Sequence, residues 1–297
     1  MRRYFEGLEL RAAPKLHTYL ELVKPEKTIF YWLNALAGGF LASAFLPPVL
    51  DTLKTLFAVG FTTFSIYVLN DVCDEDVDRI NKPDRPLPSG RISRAEAMGL
   101  VLALFAIGVA VASTLNPIAL LCTMIYFLLG VAYSANPLRL KRGILANPCM
   151  ALGAAICVIC GAAPLQITYR VLWAAAGMFL FITVCGSGKD MKDVEGDRMM
   201  GVKTLPVMIG EEKTMKIFTV NSILAFTLFF SGCFLYSFNP LYPMLLTVAA
   251  VIYGKNLKLM WQNPKDPENC ENAFNKLVPS AIIIVLAFVL GSLNISI

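Results

Sequence analysis

The sequence has few of the residues on which most soluble catalytic and metal sites depend. Charged residues make up only 16% of its 297 residues, whereas about a quarter is usual in a soluble domain. It also contains a single histidine, His17. A zinc site built on several histidines and a haem with two histidine ligands are therefore excluded, and a Ser-His-Asp triad is disfavoured.

The eight cysteines do not predict a disulfide framework. Six lie within or at the edge of apolar stretches, while Cys73 and Cys270 fall in segments that we expect to face the reducing cytoplasm. Cys157 and Cys160 have the spacing of a redox pair. Within an apolar helix, however, this spacing favours the packing of two small side chains.

Long apolar stretches dominate the chain, which is 57% hydrophobic with a mean hydropathy of +0.63. A helix needs about 20 apolar residues to cross a bilayer. Nine stretches qualify approximately: 28–47, 53–70, 95–115, 117–134, 148–168, 171–188, 216–236, 239–260 and 277–295. The sequence therefore predicts an all-α polytopic membrane protein, with nine transmembrane helices in a single domain over residues 1–297.

The charges are distributed unevenly between the two sides of these stretches. Lys54 and Arg170 are the only basic residues, and Asp51 the only acidic residue, on one side. The positive-inside rule then places the N-terminus and the charged loops in the cytoplasm and the C-terminus outside a cell membrane. Residues 1–27 mix leucines with basic residues, which indicates an interfacial helix. The net charge of +5 thus reflects topology, and no nucleic-acid partner is expected.

One acidic pattern occurs twice, each time where an apolar stretch ends. The first copy is Asp71, Asp74 and Asp78, and the second is Asp190, Asp193 and Asp197. Positions i, i+3 and i+7 share one face of a helix, so each copy predicts a helical face with three carboxylates. Such faces suit a pair of Mg²⁺ ions that grip a diphosphate. The repeated spacing also predicts a parallel repeat, in which spans one to four correspond to spans five to eight and the ninth is an addition.

Basic residues accompany both acidic clusters. Lys82 and Arg85 follow the first copy, and Lys189 precedes the second. A third loop supplies Tyr133, a possible hydrogen-bond donor, and Lys141. Carboxylates beside cations suit an anion that binds together with its metal ions. The alternative is that the charges pair with one another in solvent and anchor the loops on the cytoplasmic side.

These motifs resemble those of the UbiA-type intramembrane prenyltransferases. Asn70, Asp74 and Asp78 fit the Asn-x-x-x-Asp-x-x-x-Asp pattern of that family, and residues 81–90 are similar to the loop that follows it. The second acidic copy, residues 203–206 and the loop 133–142 also resemble family segments. Position 189 departs from the family, since many members have aspartate where this chain has lysine.

The resemblance implies a nine-helix bundle around a cavity that opens to lipid, with two Mg²⁺ ions and a bound prenyl diphosphate. The implied metal ligands are Asp71, Asp74, Asp78, Asp190, Asp193 and Asp197. The implied contacts to the diphosphate are Asn70, Lys82, Arg85, Lys141 and Lys189. The implied catalytic residues are Asp190 as a base, Tyr133 and Lys141.

The acceptor is less well defined. The motifs look most like the branch of archaeal ether-lipid and chlorophyll-type synthases, which implies a geranylgeranyl-like donor and an acceptor such as geranylgeranylglyceryl phosphate. An aromatic quinone precursor or a chlorin is the alternative within the family. A cation or phosphate transporter is disfavoured, because transporters place binding groups near the bilayer midplane and the middles of these spans lack charged residues. A lipid-binding protein without turnover stays open, and no obligatory protein partner is indicated.

Overall fold

The computed structural model describes residues 15–43 and 46–293, and this part of the chain is built from helices. Residues 1–14 of the expected interfacial segment lie outside the described residues. Helix α1 covers residues 15–23. The helices that follow are α2 (Pro25–Ala42), α3 (Val49–Asn81), α4 (Arg94–Ser113), α5 (Pro117–Ser134), α6 (Ala146–Ala162), α7 (Tyr169–Asp190), α8 (Val194–Met199), α9 (Leu205–Ile209), α10 (Glu211–Leu235), α11 (Leu241–Gln262), α12 (Pro267–Leu277) and α13 (Pro279–Gly291).

The all-α membrane architecture predicted from the sequence is confirmed. Within the described residues, six helical segments are long and apolar enough to cross a bilayer: α3, α4, α5, α7, α10, and α12 with α13 as one unit. The other three expected spans fall on α2, α6 and α11. Helix α6 has only 17 residues, α2 begins with Glu26 and Lys27, and α11 carries Lys255 and Lys258 near its end.

The first acidic motif lies on the final turns of α3. This helix has 33 residues and is therefore about 50 Å long at 1.5 Å per residue, whereas the hydrocarbon core of a bilayer is about 30 Å thick. Its last turns extend beyond the apolar span while they remain helical. Asp71, Asp74 and Asp78 accordingly share one helical face, as the spacing predicts.

The second acidic motif does not lie on one helix, and that part of the prediction is wrong. Helix α7 ends at Asp190, the chain turns, and Asp193 occupies the N-cap position of the short helix α8, which contains Asp197. Lys192 lies in the turn, and its Nζ is 2.6 Å from Glu271 Oε1 on α12. The turn therefore lies beside α12, and the helical spacing of the sequence is not continued in space.

Helix α1 packs one side against the loop that joins α3 to α4. Leu22 is fully buried in a cluster with Val68 of α3 and with Leu87 and Ile92 of that loop. Leu16 lies on the other side of α1 and is exposed. The helix thus has the apolar outer face that a membrane interface requires, and its interfacial position stays a prediction.

Helices α2 and α6 cross with their backbones in contact. A Cβ atom on Gly161 would lie 1.7 Å from the carbonyl oxygen of Ala35, and one on Gly38 would lie 1.8 Å from the carbonyl oxygen of Val158. Small residues allow this close approach between helices in membranes. The crossing holds α6 beside α2, and together with α3 and α5 these helices surround the cavity described below.

This crossing predicts that Gly161→Val destabilises the protein strongly. The valine methyl groups have no room beside the α2 backbone, so we expect overpacking to cost about 3 kcal/mol or more. Gly99→Val on α4 is the matched control, because nothing lies within 4 Å of a Cβ atom there. Thermal unfolding of both variants in detergent measures the difference. Equal midpoint temperatures for the two variants would contradict the close crossing.

Candidate active site

An apolar cavity of about 280 Å³ lies between α2, α3, α5 and α6 and reaches the short helical segment Leu140–Arg142. Its wall includes Ile66, Leu129 and Met150. Polar side chains also line it: Asn70, Asp74, Tyr133, Ser134 and Lys141. The cavity therefore combines an apolar interior with the first acidic motif and part of the basic third loop.

Asp74 connects the first acidic motif to the third loop. Its Oδ2 atom lies 2.6 Å from Lys141 Nζ, and its Oδ1 atom accepts a hydrogen bond of 3.0 Å from Arg139. Arg139 has a left-handed backbone with φ of 37° and also donates to the carbonyl oxygen of Cys73 at 3.2 Å. Burial lowers the pKa of Lys141, although the charge of Asp74 opposes this. The loop is thus attached to the acidic helix rather than only anchored at the membrane surface.

Asn70 lies one turn before Asp74 on α3 and also lines the cavity. Its side-chain amide donates to Ser134 Oγ at 3.0 Å. Since Ser134 is the last residue of α5, this bond ties the end of α5 to the acidic face of α3.

Asp71 and Asp78 face a different set of cations. Lys24 Nζ lies 2.6 Å and 2.7 Å from the two carboxylate oxygens of Asp71. Arg85 bridges the pair, at 2.6 Å from Asp78 and 3.4 Å from Asp71. Both carboxylates are buried, with 5% exposure for Asp71 and 6% for Asp78. Every acid of the first motif is therefore neutralised by a lysine or an arginine.

Asp190 and Asp197 accept side-chain hydrogen bonds, and none of the three acids of the second motif forms an ion pair with a described residue. Asn147 donates to Asp190 at 2.8 Å, and Thr204 donates to Asp197 at 3.1 Å. Burial raises the pKa of Asp197, and the charge of Asp193 raises it further. These carboxylates thus repel one another, and a bound cation would relieve that repulsion.

Asn147 and Tyr133 relate the two motifs in space. A Cβ atom on Gly186 would lie 2.3 Å from Asn147 Oδ1, so the missing side chain on α7 is what lets Asn147 reach Asp190. The Tyr133 side chain lines the same cavity as Asp74. Asn147 lies two residues before Cys149, which also lines the cavity, so Asp190 is held beside the helix that forms one wall of the cavity.

Not every site residue expected from the sequence lies at the cavity. Asn70, Asp74, Tyr133 and Lys141 line it, and Arg85 lies on the adjacent side of α3. Lys82 and Lys189 are exposed. Neither forms an ion pair with a described acid. Their proposed contact with a diphosphate stays a prediction.

Three residues that belong to the site in space were not among the site residues expected from the sequence. Lys24 is one of several basic residues before the first span, Asn147 lies at the start of an apolar helix, and Arg139 is one of several cations in the third loop. Only Arg139 carried a signal, because it lies in a loop already identified as basic.

The carboxylate oxygens of the two acidic motifs fit Mg²⁺ if a phosphate group supplies some of its other ligands. Among residues 15–43 and 46–293, no three histidine, cysteine or acidic side chains converge tightly enough to hold a metal ion by themselves. Mg²⁺ is usually bound through one or two carboxylates, with waters and substrate phosphates as its other ligands. The carboxylates of the second motif, which form no ion pair with a described residue, and the cations beside Asp74 meet that description.

Comparisons with known proteins agree with this geometry. Residues 31–278 match the model of the UbiA prenyltransferase family. A digeranylgeranylglyceryl phosphate synthase from Saccharolobus solfataricus is 31% identical over 296 residues, which covers 94% of this chain and 98% of that protein. The family resemblance of the acidic motifs is thereby confirmed.

Solved structures show the same fold. A structure described as that of digeranylgeranylglyceryl phosphate synthase in membranes has a TM-score of 0.81 and 28% identity, and covers 95% of this chain and 99% of its own. A UbiA homologue from Archaeoglobus fulgidus bound to DMAPP and Mg²⁺ has a TM-score of 0.73 and 23% identity, and covers 92% of this chain and 99% of its own.

The buried pair between Lys24 and Asp71 predicts a large coupling energy. Lys24→Met leaves the Asp71 carboxylate with only the longer contact of 3.4 Å to Arg85, and loss of one partner of a buried ion pair typically costs about 3–5 kcal/mol. In Lys24→Met/Asp71→Asn we expect most of this loss to be recovered, because no buried charge is left unpaired. Chemical unfolding of the wild type, both single variants and the double variant measures the coupling. Additive effects of the two substitutions would contradict it.

Proposed function

This chain belongs to the UbiA prenyltransferase family, and we propose that it transfers a geranylgeranyl group from geranylgeranyl diphosphate to geranylgeranylglyceryl phosphate. The observation that carries this proposal is an apolar cavity whose polar end holds Asp74 with Lys141 and Arg139. The full-length similarity to digeranylgeranylglyceryl phosphate synthases supports the choice of acceptor.

The proposed reaction exchanges one C–O bond for another. The bond between the allylic carbon and the diphosphate breaks, and its electron pair leaves with the diphosphate. A hydroxyl oxygen of the acceptor then bonds to that carbon and loses its proton. Lys141 and Arg139, at 2.6 Å and 3.0 Å from Asp74, are placed to stabilise the negative charge that develops on the departing diphosphate. The hydrogen bond from Asn70 to Ser134 holds α3 and α5 together at the same end of the cavity.

The apolar part of the cavity protects the allylic cation from water. Tyr31 and Tyr126 both line it, and their ring centroids lie 5.7 Å apart. Aromatic faces attract cations, and the effect is stronger where water is excluded. We propose that these rings stabilise the cation until the acceptor attacks.

Asp190 is the proposed base. Asn147 fixes its side chain through a hydrogen bond of 2.8 Å, and Tyr133 lines the neighbouring cavity together with Asp74. A carboxylate held near the cavity end is positioned to take the proton of the acceptor hydroxyl. In this arrangement Tyr133 donates a hydrogen bond to a substrate oxygen.

Magnesium ions are the proposed cofactor, and two are expected. The residues that would hold them are Asp71, Asp74, Asp78, Asp190, Asp193 and Asp197. When bound, the ions would neutralise charge on the diphosphate. Lys82, Arg85 and Lys189 are the further cations proposed to contact the diphosphate from the loops beside the two motifs.

We also propose that nine segments cross the bilayer within one domain, as a parallel four-helix repeat followed by a ninth segment. Each expected span falls on a helix, which supports this count. The proposed orientation places the active-site loops and the N-terminus in the cytoplasm. The concentration of lysine and arginine on the side of the acidic motifs supports it.

The acceptor is tested by supplying each candidate separately. We expect purified protein with geranylgeranyl diphosphate and Mg²⁺ to form a lipid product with geranylgeranylglyceryl phosphate, and none with an aromatic acid or a chlorin. Mass spectrometry of the product and release of diphosphate measure turnover. Product formed only with the aromatic or chlorin acceptor would replace the proposed acceptor but leave the reaction class intact.

The acidic motifs are tested by charge removal at constant size. We expect Asp74→Asn and Asp193→Asn each to lower kcat/KM by about 100-fold or more, the effect typical of lost electrostatic stabilisation in a transition state. Asp76→Asn is the control, because Asp76 is exposed on the same helix as Asp74. Steady-state kinetics on protein shown to be folded measures the effect. Turnover at the wild-type level in both motif variants would refute the proposed site.

A further inference from the structure

Lys24 occupies an unusual position between the N-terminal helix and the first long helix. It has a left-handed backbone with φ of 49°, and the ring of the next residue, Pro25, restricts its conformation. Its ammonium lies within 2.7 Å of both oxygens of Asp71 and 5.8 Å from the centroid of the Tyr67 ring. Tyr67 lines the cavity. Lys24 therefore lies beside an aromatic side chain that lines the proposed substrate site.

Contacts of the residues just before Lys24 hold α1 in place. Tyr19 donates to Glu96 of α4, and Glu21 accepts a hydrogen bond of 2.7 Å from Arg91. Leu22, the next residue after Glu21, is completely buried. These contacts fasten α1 to α4 and to the segment that joins α3 and α4, and Lys24 follows directly, with its ammonium on Asp71.

The contact between Lys24 and Asp71 contributes to the balance of charge on α3. Three carboxylates on one helical face repel one another unless cations are bound, and in this structure Lys24, Arg85 and the pair Arg139–Lys141 provide them. A lysine that contacts both oxygens of Asp71 occupies the positions from which this carboxylate would ligate a metal ion. The lysine and the metal therefore compete for the same atoms.

We propose that Lys24 is a displaceable counter-ion of the first acidic motif, an inference that rests on the function proposed above. Its ammonium neutralises Asp71 while the cavity contains no diphosphate. When a diphosphate binds with its metal ion, Asp71 releases Lys24 and ligates the metal ion. The released Lys24 ammonium then donates hydrogen bonds to the diphosphate oxygens. Metal and diphosphate then bind more strongly together than either does alone, because the metal ion balances the negative charge of Asp71 and the diphosphate balances the positive charge of Lys24.

The test compares Mg²⁺ alone with Mg²⁺ plus inorganic pyrophosphate, by isothermal titration calorimetry on the full chain in detergent. In Lys24→Met we expect Mg²⁺ alone to bind about 10-fold more tightly, because its competitor is gone. We expect pyrophosphate in the presence of Mg²⁺ to bind about 10-fold more weakly, because one charged donor is lost. Lys24→Arg should keep both affinities near those of the wild type.

Two further variants make the result specific. Lys54→Met removes a lysine from the opposite side of the protein, and we expect it to change neither affinity. Lys24→Gln keeps a neutral donor to Asp71 and gives the same two shifts if Lys24→Met does not fold. Opposite signs for the two ligands distinguish a counter-ion from a residue that only supports the structure.

Three outcomes would overturn the proposal. Weaker binding of both ligands in the folded Lys24 variants would assign Lys24 a structural role only. Unchanged affinities in these variants, with normal binding to the wild type, would remove Lys24 from the site but leave the proposed function standing. A wild-type protein that binds no pyrophosphate with Mg²⁺ would remove both, and the product assay would independently show the loss of function.

Discussion

The compensation of negative charge at the end of α3 is the interaction on which the site depends. Three carboxylates emerge from an apolar span on one helical face, and two of them are buried. Burial of an unpaired carboxylate is prohibitively costly. The chain therefore draws Lys24, Arg85 and the third loop towards α3. The same contacts fix α1, the segment between α3 and α4, and one end of the cavity.

The two acidic motifs differ in how this requirement is met. The first is neutralised by the protein itself through lysine and arginine. The acids of the second motif form no ion pair within the described chain, and the neutral donors Asn147 and Thr204 hold two of them, Asp190 and Asp197. Two copies of one sequence pattern thus offer different environments. The second is the more open to a cation, and the first already contains the cations that a diphosphate requires.

Much of the architecture followed from the pattern of residues along the chain. Apolar stretches of bilayer length predicted helices, and the spacing of Asp71, Asp74 and Asp78 predicted one helical face. The same logic failed for the second copy, because helical spacing holds only while the helix continues. A turn between α7 and α8 interrupts the helix, and Lys192 in that turn contacts Glu271, which is 79 residues away in sequence. No local pattern contains that information.

The sequence by itself determined that this protein is an all-α membrane protein, because bilayer thickness and helix periodicity act on neighbouring residues. Its acidic motifs also carried the resemblance to the UbiA prenyltransferases, which the match over residues 31–278 confirms. Only the tertiary structure decided which cation faces which acid, and that Lys24 and Asn147 belong to the site. Such contacts join residues 47 and 43 positions apart. They depend on how closely the helices approach, which at α2 and α6 is set by two glycines that lack a side chain.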